Sequence, residues 1–268
     1  MRNVGNLLSA RESWLKKENS NLDYLLSFRY SWMNRFISEN SRALEIGSGF
    51  GASEGYLRDD IQLKLSDNNS NPWLQIKNLD AGKITNYRNE DFQVVIANNV
   101  IHHLAFPKKF IIDTFSTLPI DGKIIIQEIN TSLLCRLVLK ILRHEPFDDD
   151  VDVYDAKKAM SNPNDNWDAN CSIPKLLFSN SERFEEQFPG LEISHFKYTE
   201  TLLLLLSGGV TAKIWYPKLP AKVLKMIEII DNLLCKISPK IFAFQMQVVI
   251  EQENAVSRRN AHEGDEAY

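Results

Sequence analysis

Three glycines stand at alternate positions directly after a short apolar run in RALEIGSGFGASEGYL, residues 42–57. Glycine weakens the interior of strands and helices, so Gly47, Gly49 and Gly51, with Ser48 between the first two, mark a bend. The backbone there takes unusual angles or lets something lie against it. A glycine turn between a strand and a helix also offers free N–H groups and the positive end of a helix dipole. Glu45 sits two residues before the first glycine, inside the apolar strand. Burying its charge is costly unless a polar or cationic group satisfies it. An amino-acid ammonium would do so, whereas a pyrophosphate would be repelled.

More acceptors follow. Asp67 ends "KLSD", Asp80 precedes Ala81 in "LDAGKI", Asn98 and Asn99 close "FQVVIANN", and Glu128 lies in "IQEIN". Candidate bases are His103, one of an adjacent pair with His102, and His144, next to Glu145. Adjacent residues at a helix start point in different directions, so one of the first pair at most is expected to face a site. His195 lies within a late strand and reads as core or surface. Phe147, Tyr154 and Trp167 fit an apolar small-molecule pocket. They equally fit a small core of their own. Glu128, at the end of the third strong strand, is placed either to meet the acceptor or to stabilise the loop. "FDDD" beside His144 offers donors for a hard cation, but it reads as a solvated loop and no metal is assigned.

The elements that must position these residues alternate. Residues 11–40 carry a helical pattern, 43–46 a short buried strand, and helix formers continue to 58. Residues 61–65 alternate, 92–98 form a β-branched run, 107–118 a helix opened by Pro107, and 123–129 a third strong strand. Such alternation predicts an α/β fold, a parallel sheet with helices on both faces. Ligands of such sheets bind at the carboxyl ends of the strands, where Gly47, Asp67, Asn98 and Glu128 all fall. The order then changes. Residues 132–144 form an apolar helix, and the acidic stretch after it is long for a connection and reads as a lid. Two late strands, 191–202 and 242–253, flank a helix at 221–234. The expected organisation is 1–40 helical, 41–131 ligand-binding core, 132–180 lid, 181–252 completion of the sheet and 253–268 a solvated tail.

The 268 residues carry a net charge of −4 and 44% hydrophobic residues, which speaks against a nucleic-acid partner. Three widely spaced cysteines suggest buried thiols in a reducing compartment. The start shows no leader pattern, and the longest greasy run, around 202–206, is far below the roughly 20 residues of a membrane span. A cytoplasmic protein without stable membrane insertion is expected.

"LEIGSGFG" resembles motif I of the class I S-adenosylmethionine-dependent methyltransferases. The resemblance continues through "KLSD", "LDAGKI", "FQVVIANNVIHHL" and "LPIDGKIIIQEIN", although the last lacks the usual double glycine. It implies a doubly wound, mostly parallel, Rossmann-like sheet of seven strands with a lid inserted after the fifth. It implies S-adenosyl-L-methionine as cofactor, S-adenosyl-L-homocysteine as product, and a small-molecule acceptor, with oxygen ahead of nitrogen or carbon. Gly47, Ser48, Gly49 and Gly51 would admit the methionine part, Glu45 orient it, Asp67 accept from the ribose, Asp80 with Ala81 meet the adenine, and Asn98 approach the methionine end. A homodimer stays open. Gly47, Gly49, Ala52 and Asp67 also satisfy a dinucleotide fingerprint formally. An NAD-dependent oxidoreductase and a catalytically silent cofactor-binding protein therefore remain alternatives.

Overall fold

The structure, a computed structural model, describes residues 6–142, 145–165, 167–209 and 215–253. Strands β1 (Arg42–Ile46), β2 (Gln62–Asp67), β3 (Ile76–Lys77), β4 (Val94–Asn98), β5 (Lys123–Ile129), β6 (Leu191–Thr199) and β7 (Gln245–Gln252) form one sheet of order β3-β2-β1-β4-β5-β7-β6. β1 pairs parallel with β2 and β4, β3 with β2, and β5 with β4. β7 runs antiparallel to both β5 and β6. The seven-stranded, mostly parallel sheet implied by the resemblance is present.

Alternate residues face opposite sides, and both sides are covered. Leu44, Ile46, Val95, Ala97, Ile124 and Ile126 pack under α3 (Pro107–Phe115), α5 (Ile173–Phe178) and α6 (Ser181–Gln187). Ala43, Val94, Ile96, Ile125 and Val249 pack under Leu26 and Tyr30 of α2 (Ser20–Ser31). Coverage on both faces explains why these strands are nearly continuous apolar runs.

The N-terminal pattern resolves into two helices, α1 (Leu7–Leu15) and α2, each opened by an asparagine side chain, Asn6 and Asn19. Lys17, at φ +55, breaks them apart. The helix expected after the glycines is only a 3₁₀ turn, Ala52–Gly55. Contacts from the N-terminal helices replace its continuation. Trp14 lies so close that a Cβ on Gly55 would come within 2.7 Å of its ring. Asn34 accepts from the Arg58 N–H at 3.0 Å and donates to the Tyr56 carbonyl at 3.1 Å. The dipole of a long helix is therefore not part of this loop.

Beyond β5 lie α4 (Leu133–Leu142), α7 (Leu202–Leu206), α8 (Ala221–Ile237) and α9 (Pro239–Phe242). The greasy run at 202–206 is α7. The buried Asp231 carboxylate accepts from the N–H groups of Thr201, Leu202 and Leu203 at 2.9–3.0 Å and so closes its start. Leu133, Leu137 and Ile141 of α4 point outward, each more than half exposed. The stretch expected as a lid is irregular over 145–165 and 167–172, yet Val153, Tyr154 and Met160 sink into the main core. Residues 254–268, nearly all of the expected tail, lie outside the described residues. Among the described residues, no helix is long and apolar enough to cross a membrane.

Candidate functional site

The glycine loop leaves β1 with Gly47, Gly49 and Gly51 at φ +60, +53 and +74, left-handed values that side chains resist. Gly47 also has no room for a side chain, since a Cβ would stand 2.5 Å from Val100 Cγ2. Gly49 is different: a Cβ there would meet only Leu7, at 3.9 Å, so this part of the backbone faces open space. Ser48 pins the loop, donating through its hydroxyl to the Glu45 carbonyl (3.1 Å) and through its N–H to the Ser66 carbonyl (2.9 Å). Asp67, at the end of β2, accepts from the Gly49 N–H (2.9 Å) and twice from Asn69 (3.0 and 2.7 Å). Three of the roughly four acceptor directions of a carboxylate are thus engaged.

Glu45 is 1% exposed. It shares its strand face with Ala43 and so meets α2, where the Tyr30 hydroxyl donates to it at 2.9 Å. Ser53, in the turn after the glycines, donates at 2.5 Å. Burial pushes the Glu45 carboxyl up to about 6, against the pull of these hydroxyls. Among the described residues no cation pairs with it. Asn98 ends β4 on the same sheet face and accepts from Asn99 at 2.8 Å.

Helix α1 roofs the loop. Arg11 donates to the Phe50 carbonyl (2.7 Å) and to Glu54 (2.8 Å), and its guanidinium lies 5.0 Å from the Trp73 ring centre. The Trp73 indole N–H donates to the Gly49 carbonyl at 3.0 Å. Asp80 stands apart and exposed. It accepts from the Gly82 N–H at 2.9 Å, which starts the 3₁₀ segment that includes Ala81, and pairs with Lys83 at 3.3 Å. The Leu79 N–H on the Asp67 carbonyl (2.9 Å) keeps Asp80 near the end of β2.

The histidine pair departs from expectation. His102 and His103 do not diverge: their ring centres lie 4.2 Å apart, and both Nε2 atoms face Glu145, at 3.4 and 3.9 Å. The cause is a single 3₁₀ turn, Ile101–His103, in place of a helix start. His102 Nδ1 meets Glu128 at 2.8 Å, and His103 Nδ1 meets the Asp168 carbonyl at 3.0 Å. Burial opposes charge on His102, but the Glu128 and Glu145 carboxylates outweigh it and hold the imidazole up to about 10. Burial, with the neighbouring His102 charge, moves His103 the other way. His144 lies outside the described residues.

The residues assigned to an acceptor pocket do not form one. Glu128 is fully buried and accepts from the Ile101 and Ile129 N–H groups at 2.5 and 2.8 Å, so it clasps the loop after β4. Tyr154 is a core residue whose hydroxyl donates to the Leu177 carbonyl at 2.9 Å. Phe147 packs beside Arg136 and Lys140 on α4, and Trp167 is 39% exposed. Aromatic residues in a long irregular segment need a core too, and that need took Tyr154 inward. "FDDD" is tied to its own surroundings, with Asp149 on Arg136 and Ser172. His195 lies against Trp32 and Phe36.

Several polar residues that sequence reasoning passed over converge instead. Arg29 of α2 donates twice to Glu200, at 2.9 and 2.7 Å, both groups buried. Gln127 donates to Glu200 (3.2 Å) and accepts from the Trp32 indole (3.2 Å), and it pairs in register with Asn98. Beyond Trp32 opens a cavity of 310 Å³, bordered among others by Phe28, Trp32, Arg35, Lys197, Glu228 and Gln247. Glutamines among isoleucines in β5 and β7 were the available signal.

No family model matches the sequence, and no curated protein sequence matches it significantly. Among solved structures, a SAM dependent methyltransferase from Archaeoglobus fulgidus superposes with a TM-score of 0.50 at 17% identity, over 86% of this chain and 94% of that one. The plantazolicin methyltransferase BamL, solved with SAH and a triazolic desmethylPZN analog, aligns at a TM-score of 0.45 and 13% identity, over 92% and 90% of the two chains. A cyclopropane-fatty-acyl-phospholipid synthase-like protein from Lactobacillus casei gives 0.45 and 12%, over 87% and 90%. The sheet order and the superposition on the Archaeoglobus enzyme together give this chain the Rossmann-like fold of the class I SAM-dependent methyltransferases.

Proposed function

We propose that this chain is a S-adenosylmethionine-dependent methyltransferase acting on a small-molecule acceptor, at oxygen in the leading case. The observation that supports it is the Glu45 carboxylate, buried beneath a left-handed glycine loop and paired only with neutral hydroxyls among the described residues. A ligand ammonium would complete it, and the open backbone at Gly49 leaves room for the attached chain. Asp67, with one acceptor direction unused, would take a ribose hydroxyl, and Asp80 with Ala81 would meet the purine amine. Asn98, held by Asn99, would face the methionine end. The bound cofactor would supply an electrophilic methyl carbon on a positively charged sulfur.

In-line transfer asks the protein mainly for alignment, which is worth several kcal/mol. The cavity beyond Trp32 falls at the lower end of the size of a small-ligand site, and it joins an aromatic wall to Arg35, Lys197 and the Glu228 carboxylate. An aromatic acceptor carrying polar groups fits that lining. His103, partly exposed after β4, would take the proton of an acceptor hydroxyl that needs a base, a role His144 could share.

Calorimetry with S-adenosylhomocysteine and with NAD tests the reading. Micromolar binding of the first alone supports it. Binding of NAD alone would replace it with the oxidoreductase reading, and cofactor binding without transfer to any acceptor in a broad screen would leave a silent binding protein.

A further inference from the structure

Outside the glycine loop, a second polar cluster stands at the carboxyl ends of β4 and β5. His102 Nε2, the Glu145 carboxylate and Cys171 Sγ all lie within 4.8 Å of one another. His102 Nε2 to Glu145 Oε2 is 3.4 Å, and Cys171 Sγ to the same oxygen is 3.7 Å. For a tetrahedral zinc ion with ordinary Zn–N, Zn–O and Zn–S lengths, these edges would be about 3.4 Å and about 3.6 Å. The three ligand types, imidazole, carboxylate and thiol, suit zinc rather than calcium or magnesium.

The surroundings are those of a built metal site. Glu128 accepts from the His102 Nδ1–H at 2.8 Å and fixes the ring so that Nε2 faces Glu145, where a bound ion would displace the Nε2 proton. A carboxylate or carbonyl on the outer ring nitrogen is the usual support of a metal-bound histidine. His103 has the same arrangement, with the Asp168 carbonyl on Nδ1 and its Nε2 turned towards Glu145. Main-chain bonds cross-link the segments: the Asn170 N–H donates to the His102 carbonyl at 2.8 Å, and the Cys171 N–H to the Pro146 carbonyl at 2.9 Å. His102 and Cys171 are buried, while Glu145 and His103 keep about a fifth of their side chains exposed, which gives an ion a way in.

We infer that His102, Glu145 and Cys171 form a zinc site, with Glu128 as the carboxylate that orients His102 and with the fourth coordination position on the His103 side. These ligands form no sequence motif because they are spaced by 43 and 26 residues and only the fold brings them together. The inference does not rest on the methyltransferase reading, since its test reads metal and not turnover.

The test uses the full chain, stripped with a chelator and titrated with cobalt(II), then zinc(II). The expected result is one cobalt per chain with a thiolate-to-cobalt charge-transfer band, displaced by one zinc. Cys171→Ser abolishes the band, and Glu128→Gln weakens zinc binding about 10- to 100-fold. A double variant, Cys135→Ala with Cys235→Ala, keeps the band, because Cys171 is then the sole thiol; this arm decides the matter if Cys171→Ser fails to fold. Absence of the band in the wild-type chain, its persistence in Cys171→Ser, or its loss in the double variant overturns the site and leaves a hydrogen-bonded histidine–carboxylate cluster.

Discussion

The Tyr30 hydroxyl donates to the Glu45 carboxylate at 2.9 Å and so ties helix α2 to the end of β1, directly below the glycine loop. Glu45 is thereby fixed as an acceptor in a place where burial disfavours its charge. The consequences can be measured separately.

Glu45→Gln should weaken S-adenosylhomocysteine binding at least about tenfold, or about 1.4 kcal/mol, with the fold kept. Calorimetry alongside circular dichroism reads both. Unchanged affinity in a folded variant would remove Glu45 from the ammonium role.

Proton linkage gives an independent check. An ammonium beside Glu45 favours the charged carboxylate, so ligand binding near pH 6 should release a fraction of a proton, and binding near pH 8 should release none from this group. Comparing binding heats in buffers of different ionisation enthalpy measures it. Proton uptake, or a release that persists in Glu45→Gln, contradicts the assignment.

Stability carries the same signature without ligand. The folded carboxyl holds its proton to about 6 against an ordinary value of 4.5, so the folded state binds more protons between those values. Stability from this group is therefore present at low pH and declines by up to about 2 kcal/mol as pH rises through 4.5 to 6. Glu45→Gln should show a smaller fall in urea midpoint from pH 4.5 to pH 7 than wild type. Equal falls would refute the linkage.

The glycines should separate steric from binding roles. Gly47→Ala meets both a left-handed φ and Val100, and should lose more than the roughly 1–2 kcal/mol expected of the backbone strain alone. Gly49→Ala, with the same φ and open space, should lose only about that amount yet impair cofactor binding. Equal stability losses for the two would show that Val100 yields easily.

Removing one member of the buried Arg29–Glu200 pair should destabilise by about 3–5 kcal/mol, because the other charge is left without its partner. Arg29→Met with Glu200→Met should recover much of that loss. A double variant as unstable as the worse single one would show that Gln127 and its neighbours depend on the charges themselves.

The sequence by itself determined the strands of the sheet other than the two-residue β3. β5 falls on the expected residues 123–129, β1 and β4 start within two residues of expectation, and Glu45, Asp67 and Asn98 all stand at strand ends. Periodicity and a run of β-branched residues are local properties, so they survive in a linear reading. The glycine loop was legible for the same reason, since three glycines at alternate positions have few uses. What surrounds that loop was decided in three dimensions. Tyr30, Ser53, Arg11 and Trp73 meet it from helix, turn and loop positions that carry no common pattern. Tyr154 looked like a pocket aromatic until packing drew it into the core, and the helix after the glycines shrank to one turn under Trp14 and Asn34. The pairing of His102 and His103 on Glu145 depends on the pitch of a 3₁₀ turn and on a segment returning from more than 40 residues away. Local preference sets where a chain runs straight or bends; which distant side chains share a buried volume follows only from how the layers pack.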